Sequence, residues 1–298
     1  MSAIVAARGL GKKYGRRRWA LRDCTLEIPA GRVTGLVGPN GAGKTTLLSL
    51  IVGILTPTNG TIEVCGGQPA ADASQLAKVG FVAQDNPTYA GLTVADHLSL
   101  GAHLNPRWDA TTARRRIEHL GLDTRQKAGH LSGGQRAQLA LTLGLAKRPE
   151  LLILDEPVAS LDPLARREFL QVLMEAVAED EISVLLSSHV VSDLERVCDH
   201  VVVLVDSQVR VAGDVEQLLS THHRLSGARR DPATLPADQH VVWASHTDRQ
   251  STYVVSTKSP VLDPAWSITA LGLEDLVLAY MEGTSSPAPG SPALEVAR

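Results

Sequence analysis

The sequence predicts an α/β fold whose core is a mainly parallel sheet covered by helices on both faces. Short apolar runs at 151–154, 183–187 and 201–205 are typical of buried strands, and helical spacing of apolar residues marks the segments 164–178 and 191–198. Strands that alternate with helices favour a parallel sheet, because each parallel pair needs a long crossover connection. A helical insertion and a small C-terminal α+β appendage complete the predicted fold class.

The N-terminal half follows the same alternation before a long helical stretch interrupts it. A strand at 32–37 leads through a glycine-rich turn into a helix at 44–55, and short strands follow at 61–64 and 79–82. Helical spacing of apolar residues then dominates. We interpret the region of about 88–146 as a helical subdomain inserted between two halves of the sheet domain.

The character of the chain changes after about Ser220. We predict one large domain at 1–220, a small accessory domain at 221–282 and a disordered tail at 283–298 that is rich in Ser, Pro and Ala. A polar linker is predicted from His222, His223, Arg229, Arg230, Pro232 and Pro236. Two strands and a helix are predicted in the accessory domain, at 241–244, 252–256 and 273–281.

The composition is that of an ordinary globular protein. Charged residues make up 20% and apolar residues 44%, and the net charge of -3 gives no field that favours nucleic acid, so we expect no nucleic-acid partner. We interpret the basic runs at 16–18 and 114–116 as solvated surface. The three scattered cysteines form no CxxC pair, which argues against a disulfide framework or a zinc site. No apolar run approaches the roughly 20 residues of a membrane span, so we expect any membrane-crossing part to be another chain.

A phosphate-binding loop follows the strand at 32–37, where residues 38–45 fit the pattern GxxxxGK[ST]. The predicted nucleotide-binding residues of this region are Gly38, Pro39, Asn40, Gly41, Ala42, Gly43, Lys44, Thr45 and Thr46. The glycines let backbone N–H groups surround the phosphates at a helix N-terminus. Lys44 is expected to reach the β- and γ-phosphates, and the Thr45 hydroxyl to ligate Mg²⁺. The alternative, an ordinary glycine turn, is disfavoured by the strand–turn–helix context.

Two acids, Asp155 and Glu156, end the apolar strand at 151–154. Ligands of parallel sheets bind beyond the carboxyl ends of the strands. We therefore expect Asp155 to hold Mg²⁺ and Glu156 to act as the base that orients the attacking water. An apolar strand followed by acids is common in purely structural settings, and only the pairing with the phosphate-binding loop favours the metal site.

The pentapeptide Leu131-Ser132-Gly133-Gly134-Gln135 lies between these two motifs. Its glycines suggest a second grip on phosphate, which one nucleotide-binding domain could hardly provide for itself, so we predict an ATPase that works as a pair. It is similar, letter for letter, to the signature LSGGQ of ABC transporter ATP-binding subunits. The resemblance covers roughly residues 3–218 and implies the P-loop NTPase fold of an ABC ATPase domain, with ATP and Mg²⁺ as cofactors.

The same resemblance implies two partners. One is a second ATP-binding subunit, either an identical copy or a close paralogue, in a head-to-tail dimer where Ser132, Gly133, Gly134 and Gln135 of one subunit cover the ATP of the other. The other is a membrane-spanning permease subunit, which would hold this chain at the cytoplasmic face of the membrane. Ser132 and the glycine amides open a helix, which is a natural cap for a γ-phosphate.

Four further positions match the family pattern. Gln84 resembles the glutamine that contacts Mg²⁺ and follows motion of the helical subdomain. Asp162, within Ser160-Leu161-Asp162, resembles a loop that crosses the dimer interface, and His189 resembles the switch histidine at the γ-phosphate. Tyr14 resembles the aromatic residue that stacks on adenine, with Trp19 as a competitor. Taken alone, Gln84 and His189 would be ordinary polar residues.

Two departures from the pattern lie away from the phosphate chemistry. The segment 139–145 lacks an arginine that many relatives carry, and 206–208 lacks the usual glycine. Leu273-Glu274-Asp275-Leu276 resembles the tail of bacterial drug and antibiotic exporter subunits, although an amphipathic packing helix is the plainer interpretation. We therefore predict the ATP-hydrolysing subunit of a transporter, with export favoured. The alternatives are a soluble ABC ATPase that acts on ribosomes or DNA, and a regulatory protein that ATP only switches.

Overall fold

A computed structural model describes residues 2–15, 18–84 and 88–283. The chain divides into two compact units, Met1–Ala212 and Gly213–Arg298. The predicted disordered tail lies outside the described residues except for Gly283, and so do Arg16 and Arg17 of the first basic run.

The first unit contains two sheets and seven α-helices among its described residues. Its strands are β1 (Ala3–Tyr14), β2 (Arg18–Pro29), β3 (Val33–Val37), β4 (Asn59–Val64), β5 (Val79–Val82), β6 (Leu151–Asp155), β7 (Ser183–Ser188), β8 (His200–Val205) and β9 (Gln208–Asp214). Its helices are α1 (Lys44–Ile51), α2 (Ala73–Lys78), α3 (Val94–Leu104), α4 (Ala110–His119), α5 (Gly133–Ala146), α6 (Pro163–Asp180) and α7 (Val191–Leu194), with a 3-10 turn at Ala128–His130.

A six-stranded sheet in the order β5-β6-β7-β3-β8-β9 forms the core of this unit. The pairs β5-β6, β6-β7, β7-β3 and β3-β8 are parallel, which confirms the predicted sheet class. Every residue of β3, β6, β7 and β8 is buried, as expected for strands covered on both faces. Asp155 pairs with Ser187, and Val37 with Ser188, so the carboxyl ends of β6, β7 and β3 meet at one edge.

The second sheet, β2-β1-β4, is antiparallel. The two long strands β1 and β2 were missing from the sequence prediction. Gly9 and Gly11 interrupt the apolar alternation of β1, and the β1-β2 register shifts between Ala7 and Leu10 and again beyond it. A strand with such irregularities lacks the period of two on which its recognition depends.

The helical insertion has a small apolar core of its own. Helices α3, α4 and α5 pack together. Buried residues of these helices and of the segment between α4 and α5 form one cluster: Val94, Ile117, Leu122, Ala128, Leu131 and Leu139. The predicted helical stretch therefore exists, but as three helices and a 3-10 turn. Leu131, the first residue of the signature pentapeptide, is buried in this cluster, whereas Ser132 is exposed.

Over its described residues, 213–283, the second unit has a four-stranded antiparallel sheet, two α-helices and a 3-10 turn at Pro232–Thr234. Its elements are α8 (Val215–Thr221), β10 (His222–Ala228), β11 (His240–His246), β12 (Gln250–Ser256), β13 (Ser267–Ala270) and α9 (Leu273–Glu282), with the strand order β11-β12-β10-β13. Helix α8 packs against β10 and α9. The unit therefore begins ahead of α8, at Gly213, and not at residue 221 as predicted.

The segment predicted as a polar linker starts with the interior strand β10, so this part of the prediction was wrong. His222 is buried there because both ring nitrogens have partners: Nδ1 lies 2.7 Å from the Leu218 carbonyl oxygen, and Nε2 lies 2.9 Å from the Tyr280 hydroxyl. Burial lowers the pKa of His222. Satisfied hydrogen bonds thus allow a polar residue inside a sheet, which composition alone does not reveal.

The three cysteines are free thiols. Burial raises the pKa of each of them, that of Cys65 to about 11. Within the described ranges, no helix is both long and apolar enough to cross a membrane.

Candidate functional site

The turn between β3 and α1 forms an open helix N-terminus. Gly43 is the N-cap residue, with φ of 111°, and it supplies no side-chain hydrogen bond to the first turn. A Cβ on Gly43 would collide with the Ala20 carbonyl oxygen, and one on Gly38 with that of Leu204. The backbone is therefore free of side chains where it curves, which leaves N–H groups for an anion such as phosphate.

Lys44 lies inside this turn rather than in solvent. Its side chain is 7% exposed, and Nζ donates to the carbonyl oxygen of Gly38 at 2.7 Å and to that of Pro39 at 3.4 Å. Nζ also lies 3.7 Å from Oε1 of Glu156. The ammonium group is thus fixed next to the turn by three oxygens.

The Glu156 carboxylate is the centre of a polar cluster. Its Oε2 lies 3.1 Å from Nδ1 of His189 and accepts from Nε2 of Gln84 at 3.4 Å. Glu156 is only 12% exposed, whereas His189 is 49% exposed at the mouth of the cluster. Lys44, Gln84 and His189 come from three distant stretches of sequence, and they meet around this one carboxylate.

Asp155 and Glu156 share a partner on the neighbouring strand. The Ser187 hydroxyl donates to Oδ1 of Asp155 at 2.6 Å, and the backbone N–H of Glu156 donates to the same hydroxyl at 2.8 Å. Ser187 is completely buried. It was not among the predicted site residues, because a serine at the end of the apolar run at 183–187 gives no signal beyond that of a strand.

A cavity of about 570 Å³ opens in front of these residues, within the size range of small-molecule sites. Its lining contains ten residues predicted from the sequence: Tyr14, Asn40, Gly41, Gly43, Lys44, Thr45, Thr46, Gln84, Glu156 and His189. Trp19, the predicted competitor of Tyr14, is also a lining residue. Two lining residues were not predicted, Ala20 and Arg18; the latter had been interpreted as part of a solvated basic run. Gly38, Pro39, Ala42 and Asp155 are not lining residues.

Two aromatic residues line the cavity, and each has a lysine nearby. Tyr14 is 46% exposed, with Lys12 Nζ 5.9 Å from its ring centroid. Lys13 Nζ lies 5.4 Å from the ring centroid of Trp19. Because both rings reach the cavity, the competition between Tyr14 and Trp19 for a stacked base stays open.

The signature residues lie elsewhere. Ser132 is the N-cap of α5, and Ser132, Gly133, Gly134 and Gln135 are not lining residues of the cavity. Asp162 is also absent from the lining; it caps α6 by accepting from the N–H groups of Leu164 and Ala165, both at 3.0 Å. The structure of one chain therefore separates these predicted nucleotide contacts from the rest.

The predicted metal donors are all oxygen atoms: the Thr45 hydroxyl, the Gln84 amide and the Asp155 carboxylate. Among the described residues, no group of three or more His, Cys, Asp or Glu side chains is arranged to hold a metal ion. Oxygen donors suit Mg²⁺, which binds through one or two carboxylates, keeps several waters and commonly binds through substrate phosphates as well. The donor set therefore fits a magnesium ion that arrives with a nucleotide.

A parallel sheet, a phosphate-binding turn after one of its strands and a pair of acids at the end of another define a P-loop NTPase. The model of the ABC transporter family matches residues 21–159. The chain is 34% identical over 203 residues to the thiamine import ATP-binding protein ThiQ of Shigella flexneri serotype 5b (strain 8401), a match covering 66% of this chain and 87% of that protein. It is 32% identical over 208 residues to the ABC transporter ATP-binding protein YtrB of Bacillus subtilis (strain 168), covering 70% and 71%.

A solved structure agrees with the sequence matches. The structure of cbiO1 from Clostridium perfringens superposes with a TM-score of 0.65 at 26% identity, over 74% of this chain and 92% of that one. This chain belongs to the ABC transporter family, as an ATP-binding subunit, and it is an ATPase of that family.

Proposed function

We propose that this chain hydrolyses ATP as half of a head-to-tail dimer and passes the closure of that dimer to a separate membrane-spanning permease subunit. The observation that carries the proposal is the cluster of Lys44, Gln84 and His189 around the Glu156 carboxylate, at the wall of a nucleotide-sized cavity. A permease partner is supported by cbiO1, which is described as part of the transporter complex cbiONQ.

In this proposal Lys44 and the N–H groups at the start of α1 bind the β- and γ-phosphates. Glu156 holds the attacking water and accepts its proton, while His189, next to the same carboxylate, orients that water and the γ-phosphate. Thr45, Gln84 and Asp155 are the residues that would hold Mg²⁺, which supplies charge neutralisation of the phosphates when bound. Tyr14 or Trp19 would stack on the adenine.

The signature has a role in this scheme only if a second copy is present. Ser132, Gly133 and Gly134 lie outside the cavity of their own chain, and so do Gln135 and Asp162. In a head-to-tail pair, these residues would cover ATP bound to the other copy. Each site would then be built from two chains, and hydrolysis would require both.

The direction of transport is a finer matter. The sequence favoured export from the likeness at 273–276, whereas ThiQ is named for thiamine import. We keep two predictions: that the transporter exports its substrate, and that this chain lies at the cytoplasmic face of the membrane. Reconstitution in vesicles with the permease subunit decides it, because an exporter moves substrate away from the face that carries this chain.

Glu156→Gln tests the proposed catalytic base. The amide keeps the size of the side chain but cannot take a proton, so we expect ATP to bind normally and hydrolysis to fall at least about a hundredfold. Phosphate release and nucleotide binding are the measurements. Glu179→Gln, which alters an exposed ion pair with Arg115, is the matched control and should hydrolyse ATP like the wild type. Hydrolysis at the wild-type rate by Glu156→Gln would exclude Glu156 as the base.

Mixing two inactive variants tests the shared site. Lys44→Ala damages the phosphate-binding turn and Ser132→Ala the signature, so a mixed dimer carries both lesions in one site and leaves the other intact. With random pairing of equal amounts, about a quarter of the wild-type sites are restored. Lys44→Ala mixed with Glu156→Gln is the control, since both residues serve the same half-site and every site stays damaged. If the first mixture remains as inactive as its components, the shared site is wrong.

A further inference from the structure

We propose that Ser187 is a positioning residue that sets the directions of both acids, Asp155 and Glu156, for ATP hydrolysis. This inference rests on the proposed function and deepens it, since it names the group that aligns the metal-holding carboxylate with the water-holding one. Ser187 itself is completely buried and does not line the cavity.

The first support is the hydrogen bonding of the Ser187 hydroxyl. It donates to Oδ1 of Asp155 at 2.6 Å and accepts the backbone N–H of Glu156 at 2.8 Å. Parallel pairing of β6 with β7 puts Ser187 directly opposite Asp155. One hydroxyl therefore holds the side chain of one acid and the main chain of the other, and it leaves Oδ2 of Asp155 outside this bond.

The second support is the backbone of Glu156, which has φ of 47°. A residue other than glycine in this left-handed region carries a conformational strain that its surroundings must offset. The bond from the Glu156 N–H to Ser187 lies at this strained residue. Strand β6 ends at Asp155, and this hydrogen bond holds Glu156 where its carboxylate meets Lys44, Gln84 and His189.

Only some side chains can both donate to Asp155 and accept the Glu156 N–H. A hydroxyl donates and accepts at once, whereas alanine does neither, and threonine keeps the hydroxyl with one added methyl group. The other serines of β7 have different partners: Ser188 bonds with the backbone of Val190, and Ser183 accepts the Gly31 N–H at 2.9 Å. Ser183 is buried at the opposite end of the strand, so it provides a matched control.

The test compares Ser187→Ala, Ser187→Thr and Ser183→Ala with the wild type. Both alanine variants lose a buried hydroxyl that accepts a backbone N–H, so both should lower the melting temperature by a few degrees. Only Ser187→Ala should also lower kcat, by about tenfold to a hundredfold, as substitution of groups behind a metal ligand commonly does. It should leave KM for ATP within about threefold of the wild type, since the phosphate-binding turn is unchanged. Ser187→Thr should recover most of the kcat.

A second readout does not depend on turnover. The Mg²⁺ concentration that half-saturates tight binding of a fluorescent ATP analogue should rise with Ser187→Ala and stay unchanged with Ser183→Ala, because only Ser187 holds Asp155. Equal kcat and equal Mg²⁺ dependence for Ser187→Ala and Ser183→Ala would overturn the positioning role while leaving the proposed function intact. A wild type that binds ATP without hydrolysing it would overturn the proposed function, and the Mg²⁺ arm would still decide the role of Ser187.

Discussion

The two glycine-rich helix starts of the first unit differ in how their backbone is capped. Helix α1 has Gly43 as its N-cap, with no side-chain hydrogen bond to the first turn. Helix α5 has Ser132, whose hydroxyl accepts the Gln135 N–H at 3.2 Å, while the Gln135 side chain accepts the Ser132 N–H at 2.9 Å. The first helix start is open, and the second is closed by a reciprocal capping box.

The start of α1 can therefore take a ligand in place of a cap, whereas the start of α5 is already capped by its own side chains. The first N–H groups of α1 have no side-chain cap and lie at the positive end of the helix dipole. A bound anion would accept the hydrogen bonds that a capping side chain accepts in other helices. At α5 the capping box already satisfies two donors, and only the amides of Gly133 and Gly134 lie outside it. We therefore expect the start of α1 to determine nucleotide affinity. The start of α5 should contact the γ-phosphate only when the dimer closes.

Gly43→Ala should give the largest effect, because it forces the backbone at the open helix start to shift. The added Cβ meets the Ala20 carbonyl oxygen, and φ of 111° suits glycine only. A strain of about 1–3 kcal/mol, together with the displaced turn, should weaken ATP binding by up to roughly a hundredfold. Isothermal titration calorimetry measures this.

Gly91→Ala is the control for that prediction. A Cβ at Gly91 meets no atom within 4 Å, and its φ lies outside the left-handed range. This variant should bind ATP like the wild type. Normal ATP affinity of Gly43→Ala would break the proposed distinction between the two helix starts.

Gln135→Glu should give a smaller effect and a more selective one. Glutamate suits a capping box as well as glutamine does, and an acid in the first turn adds about 0.3–1 kcal/mol of helix stability. The melting temperature should therefore hold or rise. If α5 meets the γ-phosphate of a partner's ATP, the new carboxylate repels it, and hydrolysis should fall about tenfold, which corresponds to 1.4 kcal/mol.

Gln217→Glu makes the same charge change at the same helix position in the second unit, where Asp214 caps α8. It should leave hydrolysis unchanged. A Gln135→Glu variant with full activity would show that the α5 start serves folding alone.

The sequence predicted those parts of the molecule that local patterns determine. The phosphate-binding turn, the two acids at the end of β6 and the parallel sheet depend on periodicity and on short motifs. Ser187 could not be found this way, since its partners follow from the register between β6 and β7. Arg18 and Ala20 were missed because they reach the cavity through the pairing of β1 with β2, which sets Tyr14 opposite Arg18, and neither strand was recognised. His222 was assigned to a linker because it is polar. The sequence does not show that Tyr280 provides the hydrogen-bond partner that allows its burial.

The left-handed backbone of Glu156 has a consequence for how this position changes over time. Glycine adopts the same φ without steric cost, whereas glutamate gives up roughly 1–3 kcal/mol of folding stability there. Under the proposed role of Glu156 as the catalytic base, selection for stability and selection for turnover oppose each other at residue 156. A chain of this family that is released from the need to hydrolyse ATP should drift towards glycine or asparagine at this site. The residue type found there would then report whether the chain is still under selection as an ATPase.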